Sequence, residues 1–326
     1  MDPRGPSCQN ATHSPLCDES APTCWKSPTT RRGRETTPCC SCTVSPTTSS
    51  YAEVAPLLAE SGFRVVVPYL RGHGPTRFLS ESNPRSGQQA ALGADVVALL
   101  DALDVERAYL AGYDWGGRAA NVAAALWPER VLGLVSVNSY LIQDIGAAME
   151  PVAPEREAGF WYFYYFLTER GRAGLAADPQ GIARVIWERN SPKWPFREED
   201  LERTARAFAN PDYTDVVIHS YRHRLGAAPG AEAYAAFEAR LAELPAITVP
   251  TVTLDGRADG NFPASDGSST ARHFTGPRLH RQVVNAGHNL PQESPEAFAA
   301  AVRDVRVLRH TYVGRDGFSG RNQDST

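Results

Sequence analysis

The chain predicts an α/β fold: a mostly parallel sheet covered by helices, with a helical domain inserted into it. Three observations predict this. Short β-branched or aliphatic runs alternate with helical patterns over most of 50–305, the order that builds a parallel sheet with both faces covered. A helical, aromatic-rich block over about 139–245 interrupts that alternation once, as an inserted domain would. Finally, Asp114 stands between Gly112 and Gly116 where a predicted strand turns into a predicted helix.

The elements follow in order. Tyr51 to Gly62 reads as an amphipathic helix stopped by its glycine, and Phe63 to Pro68 as a short buried strand. Arg71-Gly72-His73-Gly74-Pro75 is a turn, with His73 a turn residue. A helix covers Ala90 to Leu103 and a strand Ala108 to Gly112; a second helix runs to about Leu126, and Val131 to Val137 is a strand. Helices and aromatic clusters continue to about Leu244. Val249 to Leu254 and Leu279 to Val284 are strands, and Pro295 to Val305 is the last helix. The expected division is 50–138 and 246–305 for the sheet domain, 139–245 for the insertion, 1–49 as an atypical segment and 306–326 as a polar, unstructured tail.

Composition narrows the function. The 326 residues carry a formal net charge of -4, which argues against nucleic acid or an anionic membrane as the main partner, since both call for a basic excess. With 42% hydrophobic residues the chain can bury a sizeable core, yet no apolar run approaches the roughly 20 residues that cross a bilayer. The N-terminus lacks the charged head and apolar stretch of a secretory signal, so a soluble cytoplasmic protein is expected. All six cysteines, Cys8, Cys17, Cys24, Cys39, Cys40 and Cys42, lie near the N-terminus. Their spacing lacks paired metal-ligand intervals, and His13 completes no site, so no metal centre or disulfide framework is expected.

The chemistry-bearing segment is Gly112-Tyr113-Asp114-Trp115-Gly116-Gly117. It fits the nucleophile-elbow pattern, with Asp where ester hydrolases carry Ser. Such a bend strains its central residue and crowds the positions two residues to either side, where glycines fit. It also leaves a carboxylate beside a helix N-terminus, which keeps it ionised. Asp259 follows the Val249–Leu254 strand, and His288 follows the next strand. Strand ends of a parallel sheet converge on one face, so these loops should meet. The order nucleophile, acid, histidine makes His288 the base, with Asp255, Asp259 and Asp266 the candidates for its charge partner.

On these motifs, with Arg71-Gly72-His73-Gly74 and Gly287-His288-Asn289-Leu290-Pro291, the chain resembles the α/β-hydrolase superfamily in its Asp-nucleophile branch of epoxide hydrolases and haloalkane dehalogenases. Members more often carry His at the place of Tyr113. The resemblance implies an α/β-hydrolase core, a helical cap whose apolar walls take a small apolar molecule, a covalent alkyl ester on Asp114, and Asp259, a short turn past its strand, as the charge partner of His288. A water deprotonated by His288 then hydrolyses that ester, and no cofactor or metal takes part. It also implies two cap tyrosines that protonate an opening epoxide; Tyr162 and Tyr221 fit, with Tyr164 the competitor for the first role. A dehalogenase would instead hold halide with Trp115 and a second donor, while a remnant of the fold would bind without turnover.

One family feature is absent. Members carry a strand ending in His-Gly-x-Pro, whose loop gives one oxyanion N–H, the other coming from the residue after the nucleophile, here Trp115. In its place stands Cys39-Cys40-Ser41-Cys42-Thr43-Val44-Ser45-Pro46, with no aliphatic strand. Codons for Cys-Cys-Ser-Cys-Thr-Val, read one base earlier, permit Leu-Leu-Leu-Leu-His-Gly. Residues 1 to about 48 are therefore read as a frameshifted segment, the alternative being a divergent N-terminal extension. A sheet without this central strand would be impaired in folding and catalysis.

Overall fold

The computed structural model describes the backbone of residues 41–44 and 48–316, and the side chains of residues 49–311. Strand β1 (Ser41–Val44) leads to helix α1 (Val54–Glu60), β2 (Val65–Val66), α2 (Gln89–Ala102), β3 (Ala108–Gly112), α3 (Asp114–Leu126) and β4 (Val131–Val137). Then come seven helices: α4 (Pro154–Gly159), α5 (Trp161–Leu167), α6 (Glu169–Ala177), α7 (Pro179–Asn190), α8 (Glu198–Ala205), α9 (Tyr213–Arg224) and α10 (Ala235–Leu241). The sheet resumes with β5 (Thr251–Gly256) and β6 (Arg278–Val283), followed by α11 (Leu290–Glu293) and α12 (Pro295–Asp316).

Among the described residues the strands form one parallel sheet in the order β2-β1-β3-β4-β5-β6. Alternation along β3 shows how the sequence makes two layers. Tyr109 and Ala111 face the core shared with Leu58 of α1 and Phe298 and Val302 of α12. Ala108 and Leu110 face the opposite core, with Leu100 of α2 and Ala120 of α3. Each large apolar side chain buried this way contributes about 1.5–3 kcal/mol. The edge strand β6 is half-exposed and carries Arg278, His280 and Arg281, charges that discourage pairing with another chain. Strand β5 begins after Pro250, which has no N–H to donate and contributes only its carbonyl, accepting from Leu134 N at 2.9 Å.

Two expectations are overturned. A strand does precede Ser50: Ser41–Val44 lies between β2 and β3, paired Ser41 to Val65 and Cys42 to Leu110. A parallel ladder is built from backbone groups, and Cys, Thr and Val are compatible with a buried strand even without a run of aliphatics. The sheet therefore keeps its central element and the expected unpaired edges do not arise. Residues 45–47, where the His-Gly-x-Pro loop would lie, fall outside the described residues, as do 1–40 with Cys8, Cys17, Cys24, Cys39 and Cys40. The second correction concerns the tail. Helix α12 continues past Val305 to Asp316, and Arg306 fastens it by donating to Ser61 O at 3.2 Å while stacking 4.3 Å over the Phe63 ring. Residues 317–326 lie outside the described residues. No helix among the described residues is long and apolar enough to cross a membrane.

Candidate active site

The chain leaves β1 for β2 on one side and later enters β3 on the other, so the switch point of the sheet lies between β1 and β3. Asp114 stands at the carboxyl end of β3 as the first residue of α3. Its φ of 50° is in the left-handed region, a strained setting for a residue with a side chain. The close approach of strand and helix explains the glycines: a Cβ on Gly112 would lie 2.7 Å from the backbone of Gly116 and Gly117.

The loops after β5 and β6 bring Asp259 and His288 to the same place. His288 Nδ1 lies 3.0 Å from Asp259 Oδ2, and its Nε2 lies 3.9 Å from Asp114 Oδ1, an ion-pair separation too long for a hydrogen bond. Asp259 has only acceptors to offer, so Nδ1 carries the proton and Nε2 faces Asp114. The Asp259 side chain is fully buried, and its other contacts are filled: Asn261 N and Phe262 N donate to Oδ1 at 2.8 Å each, and Asn138 Nδ2 to Oδ2 at 3.2 Å. The His288 backbone N–H donates to Asn190 O at 3.2 Å, and Phe262 stacks on its ring at 5.5 Å. Asp255 is engaged elsewhere, accepting from Ser265 N and Oγ, while Asp266 is exposed and accepts from Ser268.

The electrostatics follow from this arrangement. Burial disfavours a charged His288, but the Asp259 and Asp114 carboxylates outweigh it and push the imidazole up to about 10. Burial would also raise Asp114; His288, Arg224 and Arg118 outweigh it and hold the carboxyl below its usual range. Asp114 is thus an anion facing an imidazolium.

Two phenols of the helical insertion reach the same cavity. Tyr162 and Phe166, one turn apart on α5, are both buried, whereas Tyr164 is 44% exposed and bonds Glu157 at the surface. Tyr221 comes from α9, its ring 5.5 Å from that of Tyr162. Each phenol oxygen accepts an N–H: Tyr162 from Asn261 Nδ2 at 3.2 Å, Tyr221 from Trp115 Nε1 at 3.4 Å. Burial pushes both phenols above their ordinary value, so both stay protonated. The Trp115 backbone N–H opens α3 beside Asp114, where an oxyanion donor is expected.

A cavity of about 130 Å³ joins these groups; Phe166, Leu175, Ile182, Ile186, Trp187 and Phe208 form apolar wall, with Asp114, Tyr162, Tyr221 and His288 on the lining. That is close to the roughly 150 Å³ that holds a benzene molecule in a protein interior. Sequence reasoning left out two kinds of residue. His73 lines the cavity as well as making its turn, and Asn190 and Asn261 support Tyr162. The glycines flanking His73 signalled a tight turn, but nothing in the sequence said which way it faces.

The alpha/beta hydrolase fold family matches residues 46–295. The chain belongs to the α/β-hydrolase family. A crystal structure of a Klebsiella pneumoniae protein, provisionally described as an epoxide hydrolase, superposes with a TM-score of 0.83 at 45% identity, covering 86% of this chain and 94% of that one. Epoxide hydrolase A of Mycobacterium tuberculosis is 27% identical over 281 residues, 78% of this chain and 84% of its own. Haloalkane dehalogenase DbeA-M1 of Bradyrhizobium elkanii, at 21% identity and a TM-score of 0.70, shares the fold over 89% of this chain and 99% of that one. Epoxide hydrolase 3 of Siraitia grosvenorii is 34% identical over 85 residues only, so the chain spans 26% of that relative's length. This α/β-hydrolase is an enzyme of the epoxide hydrolase-like type.

Proposed function

We propose that the protein opens a small, largely apolar epoxide to a vicinal diol through an alkyl ester on Asp114. One observation carries the reading: the Asp114 carboxylate shares a cavity with His288, which is held by Asp259, and with two buried, protonated phenols. A carboxylate attacks saturated carbon, and an epoxide oxygen needs an acid as it leaves.

In the first step an Asp114 oxygen bonds to a ring carbon and the ring C–O bond breaks. The freed oxygen takes the proton of Tyr162 or Tyr221. Ester formation discharges Asp114, so one of the two anions holding the His288 proton is gone. The imidazolium then becomes the acid that restores the phenol, and neutral His288 takes a proton from water. That water attacks the ester carbonyl, with Trp115 N–H on the oxyanion. Collapse releases the diol and regenerates the carboxylate. The helices between β4 and β5 act as the cap that excludes bulk water.

The engagement of the Trp115 indole N–H by Tyr221 supports an epoxide over a haloalkane, because that donor is turned to the phenol that would serve the oxygen. No cofactor, metal, nucleic acid or membrane enters this reading, and a cytoplasmic location is part of the proposal. The test is the product. Purified protein should convert styrene oxide or 1,2-epoxybutane to diol and release no halide from 1-chlorobutane. Halide release without diol formation would reverse the assignment.

A further inference from the structure

The turn that carries His73 is built at some cost. Gly72 and Gly74 both take left-handed backbone, with φ of 71° and 51°. A Cβ on Gly72 would lie 2.6 Å from Val216 Cγ2, and one on Gly74 would lie 2.6 Å from the Tyr69 ring. Arg71 anchors the turn from below. It donates to both Asp95 oxygens, to the carbonyls of Ser86 and Ala91, and to the Tyr234 hydroxyl. His73 N donates to Leu70 O and Gly74 N to Ala207 O, fixing the turn on both sides. The cavity proposed for the epoxide receives one product of this construction, the His73 imidazole, 6% exposed and set edge-on to Tyr213 at 5.1 Å.

The tautomer follows from its partner. His73 Nδ1 lies 2.9 Å from Arg71 O, and a carbonyl only accepts, so Nδ1 carries the hydrogen. Nε2 is then a bare lone pair. Among the described residues no group hydrogen-bonds it. Burial lowers the imidazole to about 4, so it remains neutral at neutral pH. Asp114, His288, Tyr162 and Tyr221 are occupied by the proposed chemistry, and His73 has no part in it. The ring lines the cavity, so a ligand that fills the cavity buries this acceptor, and burying it without a donor is costly.

We propose that His73 determines substrate choice: its Nε2 accepts a hydrogen bond from a hydroxyl or N–H group that the substrate carries beside its epoxide. The preferred substrate class is thus small hydroxy- or amido-epoxides rather than purely hydrocarbon ones. The proposal rests on the epoxide reading of this cavity for its chemistry, while His73's role as an acceptor rests on its own geometry.

Two matched pairs test it. Glycidol and 1,2-epoxybutane differ only by a hydroxyl in place of a methyl. The wild-type enzyme should favour glycidol in kcat/KM by roughly ten- to a hundredfold, the range of leaving one buried acceptor unpaired. His73→Phe should bring that ratio toward one, and His73→Gln, which keeps an acceptor, should retain part of it. The ratio is read within each variant, so a loss of folded protein does not imitate the result. Benzyl alcohol and ethylbenzene form the second pair, with binding measured by calorimetry and no reaction involved. Wild type should prefer the alcohol and His73→Phe should not. Equal treatment of the members of both pairs by wild type, or preferences unchanged in His73→Phe, overturns the role of His73 and leaves the epoxide chemistry standing. A preference for benzyl alcohol that needs His73, with no diol from either epoxide, sustains His73 and defeats the epoxide reading.

Discussion

The indole of Trp115, next in the chain to Asp114, donates its N–H to the hydroxyl oxygen of Tyr221 at 3.4 Å. This contact ties the elbow after β3 to helix α9 of the insertion. It also orients the phenol proposed as the acid. An oxygen that accepts the indole N–H has its own hydrogen free to point at a substrate oxygen. Asn261 does the same for Tyr162.

Tyr221→Phe and Tyr162→Phe should therefore each slow ring opening by about 10²-fold, within the range for general-acid assistance. The double variant should form no detectable ester. Tyr164→Phe, at an exposed phenol that bonds Glu157, is the surface control and should stay within roughly twofold of wild type. Single-turnover diol formation measures all four.

The Asp259 contact to His288 separates the two chemical steps. Asp259→Asn leaves Asp114 able to attack but takes away the first of the anions that hold the imidazolium. Ester hydrolysis should fall by about 10²–10⁴-fold while ester formation changes far less. Rapid-quench kinetics would show this as a preserved burst of epoxide consumption, one equivalent per enzyme, followed by slow diol release.

The two charged groups titrate in opposite directions. His288 is raised from 6.5 to about 10, so its contribution to stability is complete below 6.5 and is lost as the pH rises through about 10. Asp114 is depressed below 3.8, so its contribution is present above that value and is lost as the pH falls through its lower folded value. Urea midpoints of wild type should decline between pH 6.5 and 10, and Asp259→Asn should flatten that decline. Ring opening itself should hold across neutral pH and fail only in acid, as Asp114 protonates.

Arg71 and Asp95 form a bidentate pair at 2.7 and 2.6 Å in the interior, beneath the His73 turn. Asp95→Ala strands a buried guanidinium and should cost about 3–5 kcal/mol. Replacing both partners with apolar residues of similar volume should cost less than Asp95→Ala alone, because no unpaired charge remains. Urea unfolding of the single and double variants gives the comparison.

Where the decisive signal was local, the sequence was readable. Gly112 and Gly116 around Asp114, and the strand ends before Asp259 and His288, are short-range patterns, and the parallel order of the sheet carries them to one end. Asp259 rather than Asp255 contacts His288 because Asp255 lies within β5 and accepts from Ser265, while the turn after the strand carries Asp259 to the imidazole. What depended on packing was not readable. His73 sits in a turn that any sequence reading would find, but its aim into the cavity is set by Arg71, Val216 and Tyr69. Strand β1 was missed because Ser41-Cys42-Thr43-Val44 lacks the aliphatic run taken as the mark of a buried strand. The end of α12 was missed because the residues after Val305 were read as a polar tail, although Arg306, Leu308 and Arg309 are sound helix formers and no glycine comes before Gly314.

The central claim is a covalent bond between Asp114 and substrate carbon, and trapping it is the most direct test. His288→Gln should attack an epoxide but leave the ester unhydrolysed. After mixing with 1,2-epoxybutane, the intact mass of that variant should rise by one epoxide, and digestion should place the addition on the peptide holding Asp114. His288→Gln/Asp114→Ala should gain no mass. An unchanged mass in the folded His288→Gln protein, or an adduct on any other residue, would contradict the account.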